Sequence, residues 1–198
     1  MKRRHKNNLV NLRKANCMKI ADAGKKFAND EEYFLYEERS ELKHELINGN
    51  LYEMSGSSKY HHKISGILYL LVTSLLKNKE WEIYFEGFKV RTPDGNYFYP
   101  DICVCHANAK RYYTDEPVLI IEVLSETTRK FDLTDKFIQY QKIPTFQYYM
   151  CVEAEQQVII FYFKNNEGEW MTETFTKNES VIELPALNIS FLVKDVYQ

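Results

Sequence analysis

The sequence predicts a mixed α/β fold of the α+β class, with the order helix, three strands, helix, strand, an N-terminal hairpin and further C-terminal strands. Three observations support this. Apolar residues recur at helical spacing between residues 62 and 78. An almost unbroken apolar run at 117–124 is typical of a strand buried on both faces. An Asn48-Gly49 pair between two short strand-like runs indicates a tight hairpin.

The first elements follow from local signals. Residues 29–43 are highly charged and predict a short helix, and residues 44–54 predict a hairpin because Asn-Gly favours the type I′ turn. Residues 55–59 form a loop, since they are mostly serine and glycine. The next helix should place one apolar face toward a core, formed by Ile64, Ile67, Leu68, Leu71 and Leu75.

The second half alternates strands and one helix. Strands are predicted at 81–91, 96–105 and 117–124, with a Thr-Pro-Asp-Gly turn at 92–95 between the first two. Residues 131–142 predict a helix that ends at Ile143-Pro144. A strand at 146–152, a trailing hairpin at about 158–175, and one or two short strands with a small terminal helix complete the prediction.

Two regions are predicted from composition. Residues 1–28 form a basic, flexible extension and residues 29–198 form one domain; residues 1–26 contain nine Lys or Arg against one Asp. Such an extension is typical of solvated, disordered chain, and Met18 is an alternative start. It could also contact a phosphate backbone loosely.

Several classes of protein are disfavoured. No apolar run is long enough for a membrane span, and the basic N-terminus lacks the apolar stretch of a secretory signal. Four cysteines without a regular spacing predict reduced thiols and a cytoplasmic location. With 7 glycines and no glycine-rich phosphate loop, a nucleotide-binding fold is not expected.

Two carboxylates lie within these predicted strands and need partners, because an unpaired acid is costly to bury. Asp101 should share a strand face with Cys103 and Cys105, opposite Ile102 and Val104. Glu122 lies in the strand that is covered on both faces. It therefore has either a fixed ionic partner or a functional role.

The following helix presents Asp132, Lys136 and Gln139 as one polar stripe. Two carboxylates and a lysine suit phosphate chemistry, because carboxylates bind hard cations and a lysine can stabilise charge on a phosphate. The alternative is a buried salt bridge between Glu122 and Lys136 or Arg129 that serves only the fold. From spacing alone both readings remain open.

An ordered set of segments resembles the Uma2 family of restriction-endonuclease-like proteins, in the PD-(D/E)XK nuclease superfamily. The similarity covers about residues 31–192. It is carried by HELINGNLYEMS followed by His62, by YPDICV, by PVLIIEVLSETT with Asp132, Lys136 and Tyr140, and by IPTFQYYMCV. The usual motif lysine would stand at position 124, which is a leucine here.

The resemblance implies a restriction-endonuclease-like core and a Mg²⁺-dependent DNA endonuclease, with Mn²⁺ as a possible substitute. It implies Asp101, Glu122 and Glu45 as metal ligands, Lys136 as the catalytic lysine supplied from the helix, and Asp132 as its positioning partner. DNA is the implied substrate, and a homodimer is the natural arrangement for cutting two strands.

This chain departs from the family at Ser125-Glu126-Thr127-Thr128, where the family commonly has Ser-Pro-Ser-Thr, and at Gln147-Tyr148-Tyr149, where it commonly has Glu-Tyr-Trp. The extra acid and Leu124 favour an alternative function: a degenerate nuclease fold that binds nucleic acid or a protein partner without cleavage. A third hypothesis is an interaction protein that acts through its basic extension.

Three further groups have simple interpretations. We interpret His61 and His62 as polar residues capping the start of a helix, with a metal or phosphate role as the alternative. Cys103, Cys105 and His106 suggest half a zinc site, but buried strand cysteines are favoured because no second pair follows. A basic rim could surround the site, formed by Lys59, Lys63, Arg129, Lys130 and Lys142.

Overall fold

The computed structural model describes residue 21 and residues 25–54, 56–77, 80–107 and 110–197. Most of the predicted extension, together with Cys17 and Met18, lies outside the described residues. The elements in chain order are α1 (Asp30–Arg39), β1 (His44–Ile47), β2 (Asn50–Glu53), α2 (Lys59–Leu75), β3 (Trp81–Phe85), β4 (Lys89–Arg91), β5 (Tyr97–Phe98), β6 (Ile102–His106), β7 (Tyr113–Thr114), β8 (Pro117–Leu124), α3 (Arg129–Phe131), a π-helical turn (Asp132–Lys136), α4 (Phe137–Tyr140), β9 (Tyr148–Glu153), β10 (Ile159–Lys164), β11 (Trp170–Phe175), β12 (Val181–Leu184), a 3-10 turn (Pro185–Leu187), β13 (Ile189–Leu192) and a second 3-10 turn (Val193–Asp195).

These strands form a central six-stranded sheet in the order β11-β10-β9-β8-β6-β3, a five-stranded sheet in the order β2-β1-β5-β4-β7, and a β12-β13 pair. In the central sheet only β8 and β9 pair in parallel. Helical residues 129–140 connect these two strands, as a parallel pair requires. The predicted mixed α+β class is therefore confirmed.

Each face of the central sheet is covered by a different layer. The apolar face of α2 packs on one side, against residues such as Val104, Ile121 and Met150. Residues 129–140, which we call the interrupted helix, pack on the other side against Cys103, Ile120 and Tyr149. All eight residues of β8 are buried, as its apolar sequence predicts.

Local sequence signals account for the N-terminal elements. Asn29 caps α1, because its side chain accepts a hydrogen bond from the Glu32 backbone N–H at 2.9 Å. In the hairpin turn Asn48 has φ +50° and Gly49 has φ +76°, the left-handed conformations that a type I′ turn needs. The predicted helix at 29–43 and the hairpin at 44–54 are both present.

Two predicted strands are each divided in the structure. The 81–91 segment breaks at Glu86 and Gly87, which both have positive φ, at +39° and +92°. The 96–105 segment breaks at Tyr99–Asp101, so Asp101 precedes β6 rather than lying within it. A bend at Asp101 lets its carbonyl accept a hydrogen bond from the Glu86 N–H at 3.0 Å. Because Asp101 lies outside β6, the direction of its side chain is not set by strand alternation.

The helix predicted at 131–142 begins at Arg129 and contains a π-helical turn at its centre. A π-helical turn breaks the regular hydrogen-bond ladder and is common at functional sites. Here the Asp132 carbonyl accepts a hydrogen bond from the buried Tyr149 hydroxyl at 2.8 Å. The turn thus presents Asp132 and Lys136 inward while its backbone is supported by the sheet.

Within the described residues no helix has the length and apolar character needed to span a bilayer.

Candidate active site

Glu122 lies on the face of β8 that carries Ile120 and Leu124, toward the interrupted helix, while Leu119, Ile121 and Val123 face α2. Alternation along a strand thus directs the carboxylate to the layer that contains Lys136. Only 4 % of the Glu122 side chain is exposed. A buried glutamate in a central strand requires a partner, and the interrupted helix supplies it.

Lys136 is that partner, and it contacts three carboxylates at once. Its Nζ lies 3.1 Å from Glu122 Oε1, 3.1 Å from Glu45 Oε1 and 3.2 Å from Asp132 Oδ1. Tyr140 lies one turn further on, with its hydroxyl 3.4 Å from Glu122 Oε1. The alternative partner of Glu122, Arg129, instead pairs with Glu153 at 2.8 Å.

Glu45 comes from the N-terminal hairpin and is nearly inaccessible, with 1 % of the residue exposed. Its Oε1 also accepts a hydrogen bond from the Tyr99 backbone N–H at 3.1 Å. Its Oε2 is buried and has no hydrogen-bond partner in the structure. A buried carboxylate oxygen without a partner is costly, so this atom is suited to accept a cation or a hydrogen-bond donor.

Asp101 lies nearby but does not contact Lys136. Its Oδ2 accepts a hydrogen bond from the Val123 backbone N–H at 2.7 Å, and it lies 3.2 Å from His61 Nε2. The second nitrogen of His61, Nδ1, lies 3.4 Å from Ser65 Oγ within α2. Asp101 is therefore positioned by a neighbouring strand and by the first turn of α2.

His61 was missed as a site residue, and the capping interpretation of the His pair is wrong. Ser58 caps α2, because its hydroxyl accepts from the His61 N–H at 3.2 Å. The predicted helix began at His62, three residues later than the observed one, so both histidines lie within the first turn of α2 rather than before it. His62 instead lies 3.3 Å from Glu86 at the protein surface.

Burial and mutual charge shift the pKa values of the clustered groups. Burial raises the pKa of Glu45 and of Glu122, although the Lys136 charge opposes both shifts. Burial alone would lower the pKa of Lys136, but Glu122, Glu45 and Asp132 outweigh it and hold that pKa well above its ordinary value. Lys136 is therefore a permanent cation at neutral pH.

All these groups border one cavity of about 330 Å³. Its acidic and basic lining consists of Glu45, Glu53, His61, Asp101, Glu122, Asp132 and Lys136. Carboxylate oxygens outnumber the single ammonium, and Glu45 Oε2 lacks any partner. Oxygen donors are the ligand class that Mg²⁺ and Mn²⁺ take, so the residues present fit a hard divalent cation.

The structure thus brings together Asp101, Glu122, Lys136, Glu45 and Asp132. Gln139, predicted on the same polar stripe, is outside this cluster: it accepts from Asn96 at 3.0 Å and from Lys142 at 3.0 Å. The π-helical turn alters the rotation of residues that follow Lys136, which is why regular helical spacing misplaced Gln139.

The other sequence interpretations have separate outcomes. Cys103 and Cys105 are buried and free, as expected for strand cysteines, and His106 stacks on Trp81 with a ring separation of 4.2 Å. The proposed rim is only partly basic, because Arg129 is paired with Glu153 and Lys142 with Asp94.

The chain is similar to known proteins in both sequence and fold. The sequence model of the Uma2 family, described as "Putative restriction endonuclease", matches residues 30–193. A Synechocystis sp. protein named slr1290 is 33% identical over 172 residues, covering 85% of this chain and 90% of that protein. A second, named sll1609, is 28% identical over 166 residues, covering 80% and 93%.

A crystal structure from Anabaena variabilis, titled as a "putative nuclease belonging to DUF820", superposes with a TM-score of 0.68. It covers 83% of this chain and 94% of the other, with 18% sequence identity. At that identity the similarity shows a shared fold.

Proposed function

We propose, from the premise that this chain belongs to the Uma2 restriction-endonuclease family, that it is a metal-dependent DNA endonuclease that hydrolyses phosphodiester bonds. Five carboxylates and one lysine on a single open cavity are the observation that carries this proposal. A purely structural salt bridge needs one acid for one base. An excess of buried acids beside an opening needs another reason.

Asp101, Glu122 and Glu45 would hold the cation, which is Mg²⁺ or Mn²⁺ by its oxygen ligands. When bound, such an ion polarises a phosphoryl oxygen and lowers the pKa of a coordinated water. Glu45 Oε2 is the ligand atom with no other partner, and Asp101 is the most accessible of the three, with 15 % of its side chain exposed.

Lys136 acts as a fixed positive charge and hydrogen-bond donor. Glu122, Glu45 and Asp132 raise its pKa and so favour the charged form. A donor that is already oriented stabilises negative charge developing on a phosphate without reorganisation during the reaction. Asp132, four residues earlier and 3.2 Å away, holds the ammonium against the cluster as a positioning residue.

Leu124 therefore does not leave the site without a lysine. The ammonium that the usual motif would place two residues after Glu122 comes here from the interrupted helix, 3.1 Å from the same carboxylate. This supports the active enzyme over the degenerate nucleic-acid or partner-binding alternative. Glu126 and the other departures from the family do not remove any of the five residues.

The test is cleavage of supercoiled plasmid by the purified full chain with Mg²⁺, with Mn²⁺ and with EDTA. Asp101→Asn, Glu122→Gln and Lys136→Gln should each lower nicking by about a hundred-fold or more, because the first two remove anionic ligands of the cation and the third removes the positive charge that stabilises the reacting phosphate. EDTA should abolish nicking.

Glu183→Gln is the matched control, because Glu183 is an exposed carboxylate on β12, away from the cavity. It should cleave as the wild type does. Circular dichroism must show that each variant is folded. Folded wild-type protein that binds Mn²⁺ but leaves plasmid and branched DNA intact would reject the endonuclease and favour the degenerate binder.

The homodimer and the cytoplasmic location stay predictions. The division into an extension at 1–28 and a domain at 29–198 also stays a proposal, and truncation at residue 28 with retention of cleavage would support it.

A further inference from the structure

We propose that His61, His62 and Glu86 form a second cation site at the rim of the cavity, which binds a borderline transition metal ion such as Zn²⁺ through nitrogen ligands. It goes beyond the proposed nuclease function and does not depend on it. One ligand atom from each of the three residues lies within 4.8 Å of the other two. Among the described residues, these three therefore form a compact group of side chains that can ligate a metal ion.

The two histidines approach from different directions although they are adjacent in sequence. Consecutive residues of an α-helix point about 100° apart, and the two rings lie at 81° with centroids 5.9 Å apart. His61 is turned inward to Asp101, and His62 is turned outward to Glu86, with Nδ1 3.3 Å from Oε1. The first turn of α2 thus presents two imidazoles around one position.

Glu86 reaches this position through an unusual backbone. It has φ +39°, and Gly87 after it has φ +92°, so the chain turns sharply at the end of β3. A left-handed conformation is unfavourable at a residue with a side chain and persists only where neighbouring structure imposes it. The N–H of Glu86 donates to the Asp101 carbonyl at 3.0 Å, which fixes the turn beside α2.

The ligand chemistry distinguishes this site from the carboxylate cluster. Imidazole nitrogens suit Zn²⁺, Co²⁺ and Ni²⁺, whereas Mg²⁺ and Ca²⁺ take oxygen ligands. Two histidines and one glutamate are a ligand set used in zinc sites that keep an open fourth position. His62 and Glu86 have 56 % and 35 % of their side chains exposed, so a water or an anionic oxygen can reach that position.

Supporting contacts are present around the first ligand. His61 Nδ1 lies 3.4 Å from Ser65 Oγ, and Asp101 Oδ2 lies 3.2 Å from His61 Nε2. Polar partners of this kind orient a ligating imidazole and fix its tautomer. A cation bound at Nε2 would take the place of the Asp101 contact, and Ser65 at Nδ1 would remain as the partner that orients the ring.

The experiment is a Co²⁺ titration of the metal-stripped full chain, followed by visible absorption, with calorimetric titration of Zn²⁺ beside it. We expect a visible ligand-field band that saturates with one ion at this site, counted apart from any ion at the carboxylate cluster. His62→Ala and Glu86→Gln should each weaken binding by about ten-fold or more, the usual range for loss of metal-site support.

Three matched variants should bind as the wild type does. His106→Ala removes an exposed histidine outside the group, His5→Ala removes the N-terminal one, and Glu122→Gln alters the carboxylate cluster alone. The proposal is overturned by binding that survives both His62→Ala and Glu86→Gln, by loss in His5→Ala or Glu122→Gln instead, by a thiolate charge-transfer band, or by no saturable binding at all.

Discussion

Lys136 and Lys89 are buried to almost the same extent, with 5 % and 6 % of each residue exposed, yet their pKa values move in opposite directions. Lys136 is surrounded by carboxylates that outweigh its burial and raise its pKa. Lys89 lies over the rings of Tyr33, Phe34 and Tyr99, and burial lowers its pKa. None of the described carboxylates forms an ion pair with Lys89.

This difference shows what separates a candidate catalytic lysine from a structural one. Burial is common to both, so it cannot be the criterion. Lys136 faces an open cavity and shares its charge with more acids than it can neutralise. Lys89 faces aromatic rings, whose attraction for a cation is modest. No described carboxylate is paired with it, so none is held beside it to bind a ligand.

The largest expected effect is the loss of the Lys136 charge. Lys136→Met leaves three buried carboxylates without their shared cation, and breaking a buried ion pair from one side costs about 3–5 kcal/mol. The free energy of unfolding in urea at neutral pH should fall by that amount. Lys130→Met, an exposed lysine on the same helical segment, should change it by less than about 0.5 kcal/mol.

The same variant should recover in acid. Glu45 and Glu122 have pKa values raised above their ordinary 4.5 in the folded state, so their contribution favours folding below that pH and is lost as pH rises. Without Lys136 the shifts grow. The cost of Lys136→Met should therefore be smaller at pH 5 than at pH 8. A constant cost across this interval would show that the carboxylates do not titrate as a buried cluster.

Lys89→Met is expected to have a smaller effect of opposite sign. Methionine keeps the apolar stem and removes a desolvated charge, which stabilises the folded state. The lost cation–π contacts offset about 0.5–1 kcal/mol of this gain. We therefore expect the free energy of unfolding to rise by at most about 1 kcal/mol. Because the folded pKa is lowered, wild-type stability should rise toward pH 10.5 and the advantage of the variant should shrink. If Lys89→Met instead lowered the free energy of unfolding as much as Lys136→Met does, the two lysines would not differ in the way proposed.

The smallest effects compare two tyrosine hydroxyls, one beside each lysine. Tyr33 donates to the buried His44 carbonyl at 2.7 Å, whereas the Tyr140 hydroxyl is 3.4 Å from Glu122. Tyr33→Phe should cost about 1–1.5 kcal/mol and Tyr140→Phe less than about 0.5 kcal/mol, because only the first breaks a short hydrogen bond. Thermal unfolding of both variants would give the order, and a reversed order would contradict these bond lengths.

Much of this arrangement was predictable from short-range pattern. The hairpin at Asn48-Gly49, the buried strand containing Glu122 and the helix containing Lys136 each carry a local signal. Side-chain alternation even placed Ile102 and Val104 opposite Cys103 and Cys105, as found.

The rest depends on irregular backbone and distant contacts. Glu86 has positive φ although its residue type does not require it, so the sequence marked the end of β3 only through the neighbouring Gly87. The π-helical turn moved Gln139 away from the site, and helical periodicity assumes no such turn. His61 became a site residue only because the first turn of α2 meets the bend at Asp101, which no local pattern encodes.

The parallel pairing of β8 with β9 has a consequence for synthesis on the ribosome. Glu45, Asp101 and Glu122 leave the exit tunnel before Lys136, since the chain is made from its N-terminus. Until the connecting helix arrives, burying these acids together would cost several kcal/mol per charge. A nascent chain should therefore keep its central sheet open and become compact in one late step, when residue 136 docks.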